Sequence, residues 1–259
     1  MTDVPRVVPR EWLADELEAV RVVDVRDAWE YEGIGHIPGA VSVPFDSYRD
    51  EESDAPGTLP DADAWNALLS AAGIANDDTL VVYDDTHGVF AARFVVTALA
   101  YGHDDVHLLD GDFSAWRLDY ATESGSPEVA PTEYEGRFDE GWPLVDAEDV
   151  LAALDTDAVL VDTREDWEYA EGHIPGAQLL DWREFVDEAS RGLKPEAELR
   201  ELLEVRGITP DRRVILYCNT ARRISHTYVV LDHLGYDDVS FFEGSLTEWE
   251  TVDGPLETA

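Results

Sequence analysis

Val22-Val23-Asp24-Val25-Arg26-Asp27-Ala28-Trp29-Glu30-Tyr31, followed by Gly35-His36-Ile37-Pro38-Gly39-Ala40, returns later in the same chain. The second occurrence reads Leu160-Val161-Asp162-Thr163-Arg164-Glu165-Asp166-Trp167-Glu168-Tyr169, then Gly172-His173-Ile174-Pro175-Gly176-Ala177. Two more blocks recur in the same order. Leu80-Val81-Val82-Tyr83-Asp84 answers to Val214-Ile215-Leu216-Tyr217-Cys218, and Leu109-Asp110-Gly111 with Trp116 answers to Phe242-Glu243-Gly244 with Trp249. Three blocks at a nearly constant offset imply a duplicated domain. The expected boundaries are 1–120 for the first domain, 121–138 for a Glu-, Ser-, Pro- and Gly-rich linker, and 139–259 for the second.

Within each copy short β-branched runs alternate with helical spacing. Arg21–Val25, Thr79–Tyr83 and Val106–Leu109 read as strands, as do Val159–Asp162, Arg213–Tyr217 and Val239–Phe242. Ala62–Ala72, Val89–Ala100, Ala197–Arg206 and Ser225–Leu234 read as helices, with Gly102 and Gly235 as stops. The expected class is therefore α/β: two tandem domains, each a central, mainly parallel sheet flanked by helices. Ligands of such sheets bind beyond the carboxyl ends of the strands.

The 259 residues include 58 acidic and 18 basic side chains, a net charge of −40. That field repels nucleic acid and anionic membrane, so neither is an expected partner. Lys194 is the single lysine. With 44% hydrophobic residues the chain has a normal core composition, so the acidity belongs to a folded surface. Such a surface suits a salt-rich cytoplasm, where counterions screen self-repulsion. Met1-Thr2-Asp3-Val4-Pro5-Arg6 has no apolar run behind a basic start, and no stretch is long and apolar enough to span a bilayer, so the expected compartment is the cytoplasm.

One cysteine excludes an intramolecular disulfide and a multi-cysteine metal site. No metal and no cofactor is expected: histidines lack ligand spacing and no Gly-rich phosphate loop occurs. Cys218 directly follows a strand, and Asn219-Thr220-Ala221-Arg222-Arg223 leads into a helix. A thiol there faces a helix N-terminus, whose backbone N–H groups and dipole favour an anion. Arg222 and Arg223 add charge where the rest of the surface is acidic. A lone cysteine is otherwise most often a small buried hydrophobe.

The Asp-x-Arg and Gly-His-Ile-Pro-Gly-Ala block, the strand-Cys-loop-helix unit and Glu243-Gly244-x4-Trp249 together resemble the rhodanese family. Two copies with the cysteine in the second resemble its tandem thiosulfate and 3-mercaptopyruvate sulfurtransferases. The resemblance implies a Cys218 persulfide, a small anionic sulfur donor and a thiophilic acceptor, formally thiosulfate and cyanide. It implies that the first domain, with Asp84 in place of cysteine, is not catalytic. Cys218-Asn219-Thr220-Ala221-Arg222-Arg223-Ile224-Ser225-His226-Thr227 is similar to a prokaryotic thiosulfate subgroup pattern, Cys-Arg-Ile-Gly-Glu-Arg-Ser-Ser-His-Thr. It departs from that pattern at Asn219 and at Ala221, where glycine would serve a positive-φ turn.

The candidate catalytic residue is Cys218, and the candidate donor-binding residues are Arg223, Arg222, Asn219, Thr220, Ala221 and Arg164. His36 and His173, present in both copies, read as structural. Three alternatives stay open: a 3-mercaptopyruvate enzyme, a sulfur-carrier or binding module without turnover, and a cysteine phosphatase of Cys-x5-Arg type. The spacing Cys218-x4-Arg223 is one residue short for the last. Oligomeric state is not legible.

Overall fold

A computed structural model describes residues 4–49 and 57–259. Met1–Asp3, the start of the segment read above for a leader signal, lies outside the described residues, as do residues 50–56.

The chain forms two compact units. The first holds residues 59–142 and 187–193 with the described part of 1–50; the second holds 143–186 and 194–259 with the described part of 51–58. In the first unit the strands are β1 (Val7–Pro9), β2 (Arg21–Asp24), β3 (Val41–Ser42), β4 (Leu80–Tyr83) and β5 (Val106–Asp110), in the order β1-β5-β4-β2-β3. In the second they are β6 (Leu144–Val145), β7 (Val159–Asp162), β8 (Gln178–Leu179), β11 (Val214–Tyr217) and β12 (Val239–Phe242), in the order β6-β12-β11-β7-β8. Two short strands, β9 (Val186–Asp187) and β10 (Gly192–Leu193), lie outside these sheets. Every ladder in the two five-stranded sheets is parallel. The central strands β4 and β11 are buried at every residue, which explains their unbroken apolar sequence.

Helices α1 (Arg10–Glu16), α2 (Ala62–Ala71), α3 (Val89–Ala100) and α4 (Phe113–Asp119) belong to the first unit. Helices α5 (Ala147–Ala153), α6 (Asp166–Glu171), α7 (Glu196–Glu204), α8 (Arg222–His233) and α9 (Ser245–Thr251) belong to the second. The two cores are built alike. Val22, Val81 and Leu109 pack with Phe113 and Trp116 in one, and Leu160, Ile215 and Phe242 pack with Leu246 and Trp249 in the other. A fully buried tryptophan removes about 150–250 Å² from water, so each anchors its last helix.

The repeated histidines carry the same structural task in both units. His36 stacks on Tyr31 at 3.9 Å and its Nδ1 lies 3.0 Å from the Tyr31 carbonyl; His173 stacks on Tyr169 at 3.7 Å with its Nδ1 2.9 Å from the Tyr169 carbonyl. The first copy has one residue more between its Tyr and Gly, and absorbs it as a π turn over Glu30–Ile34.

Residues 121–138, expected as a linker, group with the first unit. Asn66 exchanges two hydrogen bonds with the Gly136 backbone, and Asn76 does the same with Glu135. Tyr134 is buried and stacks on His103. Side-chain amides here take the place of a ladder partner, so the segment docks without any apolar period in its sequence.

Candidate functional site

Cys218 directly follows β11, the central strand of its sheet, and is 2% exposed. Its N–H donates to the Ser245 hydroxyl at 3.0 Å, and its carbonyl accepts from the Leu246 N–H at 3.2 Å. Tyr217, one residue before, accepts the Ile174 N–H at 3.1 Å through its hydroxyl, and burial beside Asp162 pushes its phenol far up, so it stays protonated.

Helix α8 begins at Arg222, three residues earlier than its apolar spacing suggests. The loop from thiol to helix is therefore only Asn219, Thr220 and Ala221. Ala221 is the N-cap and sits at φ 61°, ψ −23°, in the left-handed region. It occupies the turn where a glycine is at ease. Among the described residues, the backbone N–H groups of Asn219, Thr220, Ala221, Arg223 and Ile224 donate to no acceptor in the chain. A short loop and the first turn of a 12-residue helix thus present open donors beside the thiol. That arrangement holds an anion.

The alanine at the turn gives a first prediction. A left-handed conformation costs a residue with a Cβ about 1–2 kcal/mol, and glycine returns part of that gain as unfolded-state entropy. Ala221→Gly is expected to stabilise the protein by about 1 kcal/mol in urea denaturation. A loss of stability would show that the Ala221 methyl group, which is fully buried, contributes more through packing than the turn costs.

The two loop arginines differ. Arg223 Nη1 lies 2.5 Å from Glu168 Oε2, and Asn219 Nδ2 donates to Glu168 Oε1 at 2.8 Å. Burial alone would raise the Glu168 carboxyl, but hydrogen bonds from Arg223, the Glu165 N–H and Asn219 hold it below the usual carboxylate range. Glu168 therefore stays ionised and ties α6 to both ends of the reactive loop. Arg222 is half-buried in the first turn of α8. His226 lies further along that helix, fully buried, with its ring 5.2 Å from Trp182 and 6.3 Å from Phe185. It packs among aromatic rings.

Arg164, a candidate donor-binding residue, is paired inside the protein. Its Nε and Nη2 bind Asp162 at 2.9 and 2.7 Å, and Nη2 also donates to the Gly172 carbonyl at 2.7 Å. The side chain is 6% exposed. Arg26 makes the same clamp to Asp24 and Gly35 in the first unit. The Asp-x-Arg motif is a brace between a strand and the Gly-His-Ile-Pro turn, and it leaves the guanidinium committed to the protein.

Sequence reasoning passed over two residues. Glu168 recurs as Glu30, so its position looked structural. Ser245 stands where the copies differ, opposite Asp112, and that difference was the available signal. A cavity of about 430 Å³ adjoins the loop, with Asn219 and Thr220 on one side and Asp146, Asp149, Glu243 and Glu248 around it.

In the first unit Asp84 holds the position of the thiol. Its Oδ1 accepts from the N–H groups of Thr86 and Gly88 at 2.7 and 2.9 Å, and its Oδ2 from those of Phe90 and Ala91 at 2.8 and 3.0 Å. The cradle exists in both copies, and here the chain's own carboxylate fills it.

The family profile described as "Rhodanese-like domain" matches residues 9–119 and again 146–251. A protein of Pseudomonas aeruginosa named thiosulfate sulfurtransferase is 35% identical over 271 residues, covering 99% of this chain and 98% of that one. A Thermus thermophilus protein named sulfur carrier protein TtuD is 31% identical over 277 residues, covering 96% and 94%. Among solved structures, SseA from Escherichia coli, described as a 3-mercaptopyruvate sulfotransferase, superposes with a TM-score of 0.84 at 27% identity, over 93% of this chain and 99% of that one.

Proposed function

The chain belongs to the rhodanese family, and from that premise we propose that it is a thiosulfate sulfurtransferase working through a Cys218 persulfide. The observation that carries the reading is the chain's single thiol, buried at the end of the central strand beside open backbone donors. The Cys218 thiolate attacks the outer sulfur of thiosulfate. Its lone pair forms the new S–S bond while the old one breaks, and the electron pair leaves with sulfite. The persulfide anion then gives its outer sulfur to an acceptor nucleophile; with cyanide the products are thiocyanate and the free thiolate. The loop N–H groups meet charge on the sulfonate and then on the persulfide, which is stabilisation by preorganised dipoles.

Two other readings each have a specific support. The likeness to SseA favours 3-mercaptopyruvate as donor, and the likeness to a named sulfur carrier favours a persulfide without small-molecule turnover. Intact-mass measurement after separate incubation with thiosulfate and 3-mercaptopyruvate distinguishes the donors by the gain of one sulfur. Cyanide then separates enzyme from carrier: a persulfide that cyanide cannot discharge counts against turnover. A chain that gains no sulfur from either donor overturns the proposal.

The proposal includes a salt-rich cytoplasm as the working medium. No helix among the described residues is long and apolar enough to cross a membrane. With a net charge of −40, self-repulsion opposes the compact state. Raising ionic strength from 0.1 to 1 M shortens the Debye length from about 10 to about 3 Å. The melting temperature is therefore expected to rise steadily with KCl over that range. A flat or falling curve would speak against adaptation to salt.

A further inference from the structure

Each sheet's last long strand runs into a short helix through a matched turn, Asp110-Gly111-Asp112 in one unit and Glu243-Gly244-Ser245 in the other. In the unit without the thiol, Gly111 takes the left-handed conformation at φ 93°, and Asp112 is extended at φ −130°. Asp112 then does what its type favours: its carboxylate caps α4 by accepting from the Ala115 N–H at 3.1 Å. In the unit with the thiol the pattern moves by one residue. Gly244 has an ordinary helical φ of −64°, and Ser245 carries the left-handed φ of 51°. A glycine stands next door and is not used for the turn. It serves for room, because a Cβ there would fall 2.5 Å from Glu248 Cβ.

Serine is also a good helix cap, yet Ser245 caps nothing. Its side chain, fully buried, goes to Cys218. Ser245 Oγ accepts the Cys218 N–H at 3.0 Å, donates to the Phe242 carbonyl at 2.9 Å, and stands 4.0 Å from Cys218 Sγ. A strained backbone and a forgone cap at one residue, both resolved at the reactive cysteine, mark a functional constraint.

We propose that Ser245 is a positioning residue for the reactive sulfur. Its oxygen fixes the Cys218 peptide, and its proton turns from the Phe242 carbonyl onto the sulfur when that atom carries negative charge. A hydroxyl has one proton and can serve only one acceptor at a time. A neutral carbonyl holds it while sulfur is a thiol; a thiolate or persulfide anion competes better, because charge-assisted hydrogen bonds are roughly twice as strong. No covalent bond changes in this step. In the first unit Asp112 caps α4 and has no thiol to serve, and there the turn keeps its relaxed form.

This inference deepens the sulfur-transfer reading and rests on it for the persulfide, but its test does not need transfer. Ser245→Ala removes the hydroxyl and keeps the strain; Ser245→Gly removes both. The measurements are the pH profile of Cys218 alkylation by neutral iodoacetamide, the melting temperature, and persulfide formation from thiosulfate. The charged groups around the loop are Asp146 and Asp149 at α5, Glu168 of α6, Arg222 and Arg223 of α8, and Glu243 and Glu248 at α9. Both variants leave all seven in place, so a moved profile belongs to the hydroxyl.

Both variants are expected to move the alkylation midpoint up by about one pH unit, a tenfold loss of thiolate at lower pH. Both should slow persulfide formation about tenfold. Stability should split them, with Ser245→Gly melting about 2–4 °C above Ser245→Ala because only it relieves the turn. If Ser245→Ala does not fold, Ser245→Gly alone decides the profile. Wild-type midpoints in the folded variants would overturn the inference and leave Ser245 as a brace of the strand end. A moved midpoint in a chain that accepts no sulfur from any donor would uphold the hydroxyl's role and overturn the transfer reading instead.

Discussion

Cys218→Ser is expected to lower thiosulfate-to-cyanide sulfur transfer by about three orders of magnitude or more while leaving the fold in place. The thiolate is the nucleophile in this chemistry, and an unactivated serine hydroxyl is a weak one at neutral pH. No second thiol exists to take over. Two nearby candidates for a general base are otherwise engaged: His226 packs against Trp182 and Phe185, and Glu168 is held by Arg223 and Asn219. Structure should survive because Cys218 meets its neighbours through its backbone. Its N–H reaches Ser245 and its carbonyl reaches Leu246, and neither bond involves sulfur. The checks are thiocyanate formation, intact mass after thiosulfate, and circular dichroism. Thiocyanate at anything near the wild-type rate, with the variant folded, would end the persulfide mechanism for this chain.

The fold was legible because duplication makes the sequence its own comparison. Arg21–Val25, Val159–Asp162 and Val239–Phe242 were marked as strands by β-branched runs, and the ladders found there differ by no more than a residue at one end. The place of Cys218 at a strand end beside a helix was legible for the same reason. What the sequence could not show was who holds whom. Arg164 and Arg223 are both arginines near an expected anion site. Yet the first clamps Asp162 and Gly172, and the second pairs with Glu168, a residue 55 positions away in sequence. Recurrence paired Arg26 with Arg164 without showing that each braces its own aspartate, and it left Glu168 unmarked, because its repeat partner Glu30 has no thiol to serve. The docking of residues 121–138 left no mark in the sequence because side-chain amides of Asn66 and Asn76 bind that backbone, and such pairing leaves no period to detect. Ser245 differs from its counterpart Asp112 in the sequence, but that difference gains meaning only from a left-handed φ next to an available glycine, which is visible only in three dimensions.

The first unit carries the other large effect, at Asp84. Four backbone N–H groups converge on its carboxylate, those of Thr86, Gly88, Phe90 and Ala91, all within 3.0 Å. The group is 1% exposed. Burial lifts its carboxyl above the usual range, and the four donors offset only part of that rise. Asp84 thus fills with its own carboxyl group a cradle that is open around Cys218. Asp84→Ala removes the acceptor and leaves buried donors unpaired, each at a cost of about 1–3 kcal/mol before relaxation or entering water offsets part of it. The expected loss is about 3 kcal/mol or more in urea denaturation followed by tryptophan fluorescence, to which the buried Trp65 and Trp116 of this unit report. Asp84→Asn keeps one acceptor oxygen and should lose less. Because the vacated cradle still favours an anion, sulfate or thiosulfate should restore part of the stability of Asp84→Ala beyond what chloride of equal ionic strength achieves, and should do little of the kind for wild type. An Asp84→Ala variant as stable as wild type, with no preference among the anions, would mean that the four N–H groups find other partners and that the cradle does not depend on being filled.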